Sequence, residues 1–360
     1  MAEKQYRAGA IGHTGRGNFG HGLHLPYQNI EGVEMIAVAD PDPEGREEAK
    51  AKSGAQRSYA DYREMLDKED LDFVSVCPRW VDCHEELVVA SVEAGCHVYA
   101  EKPIAMVLAS ADRMIEAANA NGRKVAVAHQ GVYLSQVHQA RDLIRQGRIG
   151  KILSMHAKGK QDHRGGGEDL MVLGTHLFNM MRFFGGDPLW MSARVTVGDR
   201  EIGPDDVREA NEPIGLIAGD GVAGLFAFGD GVDGSYVSRA NQAGKGQGYG
   251  LVLVGESGRI GISGDAGDIA IYDDGVWHPW AGGHEWKSLG LATDSLQASG
   301  NYNAIVDLIG AAENDREPIS SASDARWALE MIHGAYASQI SGARVHFPLK
   351  DRANPLVQLS

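Results

Sequence analysis

Two short stretches of this chain could do chemistry together. Ala10-Ile11-Gly12-His13-Thr14-Gly15-Arg16-Gly17 is a glycine-rich turn after a strand-like run, and Glu101-Lys102-Pro103 places a lysine, stiffened by proline, after a later one. A turn of the first kind brings bare backbone and unpaired N–H groups against a pyrophosphate. A lysine at the carboxyl end of a parallel strand lies where open α/β sheets bind their ligands. Pro103 fixes its own φ and biases Lys102 towards extended geometry. Partly desolvated there, beside a cationic nicotinamide ring, the lysine would have a lowered pKa and could take the proton of a substrate hydroxyl as hydride leaves carbon. Position alone is equally compatible with a lysine that snorkels at a strand end.

The glycine turn can be framed in two ways. Gly15-Arg16-Gly17-Asn18-Phe19-Gly20 satisfies G-x-G-x-x-G as a pattern, but the strand ends at Ile11 and the tight turn must follow at once, so the physical frame begins at Gly12. In that frame Thr14 holds the second glycine position, where its hydroxyl could donate to phosphate. Gly15 and Gly17 then leave room for a close helix N-terminus that attracts anions. Asp40 follows the second strand-like run, Met35-Ile36-Ala37-Val38-Ala39. A carboxylate there accepts the ribose hydroxyls of NAD and repels a 2′-phosphate, so NAD is the expected cofactor, with Arg46 near enough in sequence to leave NADP possible.

Further along, Gly165-Gly166-Gly167-Glu168-Asp169-Leu170-Met171-Val172-Leu173-Gly174-Thr175-His176-Leu177-Phe178-Asn179 reads as a glycine-rich loop entering a helix. Leu170, Leu173, Leu177, Met180, Met181 and Phe184 form an apolar stripe at helical spacing, and Asp169, Val172, His176 and Asn179 share an adjacent face. His176 is a candidate acid/base or hydroxyl-positioning group, the alternative being a histidine at the edge of the core. Asp169 lies seven residues away, about 10 Å along a helix axis. Asp162, His163 and Glu168 in the preceding loop, and His129 just after Val125–Ala128, could also meet a substrate. Trp80 could cover a cofactor. Trp277, Trp280 and Trp286 could stack on a sugar ring, although such clusters more often pack within or between subunits. His13, His21 and His24 cluster near the glycine turn, but no H-E-x-x-H or C-x-x-C accompanies them and no metal is expected.

The elements that must position these groups follow from pattern. Strand-like runs at Gly9–Ile11, Glu34–Ala39, Phe73–Cys77, Val98–Tyr99 and Val125–Ala128 alternate with helical segments at Glu44–Lys52, Tyr62–Asp67, Cys83–Ala94 and Ala109–Asn121. This alternation predicts βαβ units and a doubly wound parallel sheet over residues 1–128. A helix at Gln136–Gln146 closes that domain or bridges to the next. Residues 129–360 change character: short strand-like runs are joined by Asp220-Gly221, Asp230-Gly231, Ser257-Gly258 and Asp274-Gly275, and Asp-Gly supplies the positive φ of tight hairpins. A large, mainly antiparallel sheet is expected there, followed by helices near Tyr302–Asn314 and Asp324–Ser341.

Bulk properties narrow the partners. The 360 residues suffice for two domains, and 43% hydrophobic with 23% charged residues is ordinary for a globular enzyme. A formal charge of −15 argues against nucleic acid or an anionic membrane and suits a neutral substrate. Cys77, Cys83 and Cys96 are odd in number and lack metal-type spacing, and no run approaches the roughly 20 apolar residues of a membrane span. A reduced, cytoplasmic protein is expected.

Taken together, the glycine turn, Glu101-Lys102-Pro103 with the preceding Ala94-Gly95-Cys96-His97-Val98, Gly147-Arg148-Ile149-Gly150-Lys151-Ile152, Gly174-Thr175-His176 and Ala325-Arg326-Trp327-Ala328-Leu329-Glu330 make the chain resemble the Gfo/Idh/MocA family of nicotinamide-dependent oxidoreductases over nearly its whole length. The resemblance implies an NAD-binding Rossmann domain, and an α+β domain whose open sheet packs face to face in homodimers or homotetramers. It also implies that the Lys-Pro peptide is commonly cis. It points to oxidation of a secondary hydroxyl of a small neutral sugar, inositol or glycoside, or reduction of the ketone. Lys102 and His176 would be catalytic. Gly12, Thr14, Gly15, Arg16, Gly17, Asp40, Trp80, Glu101 and Lys102 would hold the cofactor. His129, His163, Asp169 and His176 would meet the substrate. One departure stands out: the family often has an aspartate four residues before the histidine, and that position is Val172. Some relatives use NAD catalytically for glycoside cleavage or elimination through a transient keto intermediate, which is the alternative; a cofactor-binding regulator without turnover is a third.

Overall fold

Continuous apolar runs such as Met35-Ile36-Ala37-Val38-Ala39 suit strands buried on both faces. In the computed structural model, which describes residues 5–242, 249–264, 267, 269–273 and 285–359, they build a six-stranded parallel sheet. Its strands are β1 (Tyr6–Ile11), β2 (Val33–Ala39), β3 (Arg57–Tyr59), β4 (Phe73–Val76), β5 (His97–Ala100) and β6 (Val125–Val127), in the order β3-β2-β1-β4-β5-β6. The crossovers are α1 (Pro43–Ser53), α2 (Tyr62–Lys68), α3 (His84–Glu93) and α4 (Leu108–Ala120). Helix α1 shows why such a segment starts and stops where it does. The Asp42 side chain accepts the Gly45 N–H at 2.7 Å, Pro43 opens the first turn, and Gly54 ends the helix at φ 71°. Strands β2 and β4 lie on opposite sides of β1, so the strand order reverses there and leaves a crevice at the carboxyl ends.

The chain forms two compact units: residues 1–130, 211–214 and 297–326 make the first, and residues 131–210, 215–296 and 327–360 the second. The first thus regains residues 297–326 from far along the sequence, including helix α8 (Ala298–Glu313).

In the second unit, helix α5 (Ser135–Arg145) precedes β7 (Ile152–Lys158). A short turn α6 (Gly167–Asp169), a π-turn at Leu170–Gly174 and α7 (Thr175–Gly185) then form one continuous helical segment. The remaining strands are β8 (Pro188–Val197), β9 (Arg200–Glu201), β10 (Arg208–Glu209), β11 (Leu216–Ile217), β12 (Gly221–Phe228), β13 (Asp233–Arg239), β14 (Gly250–Gly255), β15 (Arg259–Ser263), β16 (Ile269–Tyr272), β17 (Lys287–Ser288) and, after helix α9 (Ala322–Ser341), β18 (Val345–His346). Nine of them join β7 in a ten-stranded sheet of order β17-β16-β15-β14-β7-β13-β12-β8-β18, with β9 on β8. Among the described residues of this sheet, only β7 and β13 pair in parallel. Strict alternation buries one face: Phe226, Tyr236, Leu253 and Ile260 are covered, and Phe178 of α7 packs on Phe226 and Tyr236 with ring centres 5.5 and 4.9 Å apart. The opposite face keeps Leu225 and Val237 exposed at 48% and 44%.

Three expectations need correction. No α-helix follows the glycine turn: residues 14–25 are turns, and a 3-10 turn at Pro26–Asn29 comes next. Gly15, Gly17, Gly20 and Gly22 have φ of 83°, 88°, 57° and 80°, and Asn18 has 54°, left-handed values that a right-handed helix cannot propagate through. Asp220-Gly221 is no hairpin tip, because Gly221 already pairs with Thr196 and Arg239 as the first residue of β12. The helical stripe holds in part: Leu170, Leu177, Met180 and Met181 are buried, Leu173 and Phe184 are half-buried, and Phe178, outside the stripe, packs against the sheet. Asp230-Gly231 does form the β12–β13 hairpin, and Ser257-Gly258 the β14–β15 hairpin. Asp274-Gly275 lies outside the described residues, as do Trp277 and Trp280. Among the described residues no helix is long and apolar enough to cross a membrane.

His24, 6% exposed and packed on Phe19, carries the pH sensitivity of this loop. Burial, followed by the charge of Lys52, lowers its pKa to about 4 against a smaller opposing effect of Glu48. Its folded pKa lies below its unfolded one, so its contribution is complete above pH 6.5 and is lost as pH falls towards 4. The wild-type chain should lose up to about 3 kcal/mol over that window through this group. His24→Phe should flatten this part of the pH profile of denaturant unfolding; a slope equal to that of the wild type would show that His24 does not carry it.

Candidate active site

The turn beside β1 is held in shape by the chain's own hydrogen bonds. Residues 13–18 fold back on themselves, with His13 N–H donating to the Asn18 carbonyl at 3.1 Å and Asn18 N–H to the His13 carbonyl at 3.0 Å. At the tip, Thr14 faces Asp40. Its N–H reaches both carboxylate oxygens at 3.1 and 2.9 Å, and its hydroxyl donates to Oδ2 at 2.9 Å. Asp42 N–H donates to Oδ1 at 2.9 Å, and Asp40 is only 1% exposed. The Thr14 hydroxyl that the sequence offered to phosphate therefore bonds Asp40, and the carboxylate offered to ribose is already filled with donors. Arg46 donates to the Asp40 backbone carbonyl at 2.8 Å.

A cleft of about 370 Å³ opens at this end of the sheet, lined by Gly12, His13, Arg16, Ala39, Asp40, Tyr62, Arg63 and Leu87 among others. A Cβ on Gly12 would come within 2.4 Å of Phe19, so packing requires that glycine, whereas a Cβ on Gly15 would meet nothing within 4 Å. Bare backbone thus faces open space at Gly15. Arg16 pairs with Asp82 and lies over the Trp80 ring at 4.9 Å, and Arg63 pairs with Glu86. Apolar walls, an open glycine turn and two guanidinium groups fit a dinucleotide, although no helix starts directly after the glycine turn.

Lys102 follows β5, is 6% exposed and joins Pro103 through a cis peptide. Glu101 is fully buried, and its carboxylate turns inward. Oε1 accepts His21 Nδ1–H at 3.0 Å and the Lys102 N–H at 3.1 Å, while Oε2 accepts the His21 N–H at 3.2 Å. Burial opposes its ionisation, but the bonds from His21 and the charges of His21 and Lys102 outweigh burial and hold the carboxyl below the ordinary range. Asn301 of α8 extends the network: its amide donates to the His21 carbonyl at 3.0 Å, and its Oδ1 accepts from Tyr99 and Gln130 at 2.7 and 3.1 Å. Sequence reasoning placed Glu101 on the cofactor and noted His21 only as part of a histidine cluster. The spacing from the turn to His21 was the available signal. His129 is buried in the same unit, with Nδ1 3.1 Å from the Ser320 hydroxyl.

The other named groups belong to the second unit. His176 is half-buried at the start of α7, and Val172 is buried within the π-turn. A wide turn takes one residue more than an α-turn, which rotates earlier residues by about 100°. Asp169, placed on the face of His176 by α-helical counting, instead bonds the sheet: its Oδ2 accepts the Ser238 hydroxyl at 2.5 Å, and the backbone N–H groups of Gln161 and Lys160 also reach its carboxylate. Burial raises its pKa in spite of those bonds. Gly166 starts the segment at φ 86° where a Cβ would lie 2.5 Å from the Asp220 backbone, so only glycine fits. Asp162 is held by Arg164 at 2.7 Å, a bond that lowers its pKa, and the His163 side chain is exposed. Glu168 is buried with Arg208 3.9 Å away. Trp286 is exposed and packs beside Tyr272.

Asp40→Asn replaces one filled oxygen by an NH2 group that faces N–H donors. It should cost about 1–3 kcal/mol of stability and weaken NADH binding. Chemical unfolding and NADH fluorescence titration read the two effects separately; unchanged values in both would remove Asp40 from the organisation of this loop.

Residues 9–129 match the family described as "Oxidoreductase family, NAD-binding Rossmann fold", and residues 137–269 match the GFO/IDH/MocA C-terminal domain. The chain is 27% identical over 347 residues to D-apiose dehydrogenase of Paraburkholderia graminis, covering 93% of this chain and 88% of that protein. It is 36% identical to Myo-inositol 2-dehydrogenase of Thermotoga maritima over 108 residues, only 29% of this chain and 31% of that one. Among solved structures, levoglucosan dehydrogenase in complex with NADH superposes with a TM-score of 0.76 at 20% identity, covering 96% of this chain and all of the other, a likeness of fold.

Proposed function

As the chain belongs to the Gfo/Idh/MocA family of NAD-dependent oxidoreductases, we propose that it oxidises a secondary hydroxyl of a small neutral sugar, inositol or glycoside, or reduces the corresponding ketone. Lys102 carries this reading: an amine side chain almost wholly buried at the carboxyl end of β5, in the sheet that has the dinucleotide crevice. The likeness to D-apiose dehydrogenase along nearly the whole chain supports a carbohydrate substrate.

NAD, when bound, supplies the hydride acceptor. In our reading Gly12, Thr14, Gly15, Arg16, Gly17, Asp40 and Trp80 shape its site. Asp40 acts by fixing the turn through Thr14, and Glu101 acts through Lys102. Lys102 holds the substrate hydroxyl and takes its proton on Nζ. His176 assists by resemblance to the family, with His129 and His163 as further substrate contacts. Asp169 has a structural part in this reading, because Ser238 and backbone N–H groups occupy its carboxylate. The pairing of Asp162 with Arg164 likewise occupies a carboxylate that the redox-neutral cleavage alternative could have used.

We assign residues 1–128 to NAD binding and residues 129–360 to substrate binding and self-association. The sheet face that keeps Leu225 and Val237 exposed supports a homodimer or homotetramer formed through it. Free thiols at Cys77, Cys83 and Cys96 agree with a cytoplasmic setting.

The purified protein, incubated with NAD and a panel of sugars, inositols and glycosides, should form NADH in step with a keto product seen by mass spectrometry. Lys102→Ala should lower turnover by at least about 100-fold while NADH binding persists. Undiminished turnover in that variant would sink the mechanism, and a cleaved glycoside without lasting NADH would establish the redox-neutral cycle instead.

A further inference from the structure

Buried polar side chains nearly always find hydrogen-bond partners, so one that does not calls for an explanation. Gln161, just past the end of β7, is 5% exposed and has a left-handed φ of 59°, which few residues other than glycine adopt. Both of its backbone groups are occupied: its N–H bonds the Asp169 carboxylate, and its carbonyl accepts the Gln242 N–H at 2.9 Å. Among the described residues its side-chain amide has no hydrogen-bond partner. Gln161 lines a cavity of about 290 Å³ in the second unit, and none of the described residues around that cavity belongs to the dinucleotide crevice.

Strand register builds the walls. Lys158, Val237, Ala223 and Arg194 lie opposite one another across β7, β13, β12 and β8. Arg239, Gly221 and Thr196 form the next row of the same open face, two residues along. Gly221 leaves the gap: a Cβ there would lie 2.6 Å from the Thr196 hydroxyl oxygen and 3.9 Å from Arg239 Nε, so these two groups border one space. Thr196 is buried, and among the described residues neither its hydroxyl nor the Arg239 guanidinium has a hydrogen-bond partner. Arg194 is shared with its own hairpin, where Glu201 is 3.7 Å from Nε and the Asp199 carbonyl is 3.4 Å from a terminal nitrogen. Asp162 and Asp220, next to Gln161 and Gly221 in sequence, are held by Arg164 and by the Gly198 N–H.

We propose that this cavity is an anion site for a small phosphorylated molecule, whose phosphoryl oxygens are held by Arg239, Gln161 and Thr196, with Lys158 and Arg194 supplying further positive charge. Guanidinium, ammonium and amide N–H groups and a hydroxyl can all donate, and an arginine fork matches the paired oxygens of a phosphoryl group. Three cations line one cavity with no carboxylate among its described lining residues, in a chain of net charge −15. Like charges so gathered repel until an anion joins them. A second copy of the chain is a poorer occupant, because a two-fold axis would lay the same cationic face against this one. The volume is close to the lower bound of roughly 300 Å³ for small-molecule sites, which suits a compact ligand such as a sugar phosphate.

Isothermal titration calorimetry of the full chain tests the site, at constant ionic strength and with and without saturating NADH. The probes are inorganic phosphate, glucose 6-phosphate and succinate. Both phosphate probes should bind saturably, more tightly than succinate, and equally well when NADH fills the crevice. Arg239→Gln alters an exposed side chain and should weaken both at least about 10-fold, as loss of a charge-assisted bond does. Gln161→Leu should weaken them as well, while NADH fluorescence titration stays unchanged in both variants. If Gln161→Leu disturbs folding, Arg239→Gln alone decides. An absence of saturable heat with either phosphate probe, or affinity undiminished in Arg239→Gln, would overturn the site. Heat abolished by NADH would move the anion to the crevice, and succinate binding as tightly as phosphate would overturn the phosphoryl assignment.

Discussion

A carboxylate without solvent is the constraint from which the amino-terminal site is built. A charge in a protein interior costs several kcal/mol unless donors surround it, and Glu101 at the end of β5 has no exposure at all. The chain answers by bringing His21 down onto it with ring and backbone N–H groups, by adding the N–H of Lys102, and by having Gly20 where a Cβ would lie 2.6 Å from Oε2. The residues after the glycine turn are pinned by that demand. A helix could not meet it, because the run of left-handed residues from Gly15 to Gly22 is what lets the loop turn back. Asp40 repeats the principle one strand over, with Thr14 and Asp42 as its donors.

The second unit solves a different problem. A sheet of ten strands must hide one face, and the helical segment through α7 covers part of it with Phe178. Asp169 is embedded in that packing, tied to Ser238 of β13. The acidic loop of residues 162–169 is therefore mostly architecture: Asp162 holds Arg164, and Asp169 anchors the helix to the sheet.

Much of this was legible in the sequence, because its causes are local. Period-two and continuous apolar runs marked five strands of the first sheet, and Asp42-Pro43 and Gly54 bracket α1 as caps do. β3 was missed because Arg57-Ser58-Tyr59 is three residues long and not apolar. The return of residues 297–326 to the first unit was invisible, since nothing in a local pattern reports a partner some two hundred residues away. At the site, Lys102 and the glycine turn could be picked out by type and spacing, whereas the inward turn of Glu101 and the hold of Thr14 on Asp40 depend on three-dimensional proximity. The absent helix did leave a trace: four glycines within eight residues argue for a loop more than for a helix start.

The π-turn at Leu170–Gly174 changes what residue numbers mean in this chain. Across an α-helix, counting four residues back from His176 identifies its neighbour one turn earlier; across a turn widened by one residue, the count lands beside that neighbour. Positions before His176 in this chain therefore do not convert to faces of a helix at 100° per residue, and their directions are read from the backbone rather than from the count.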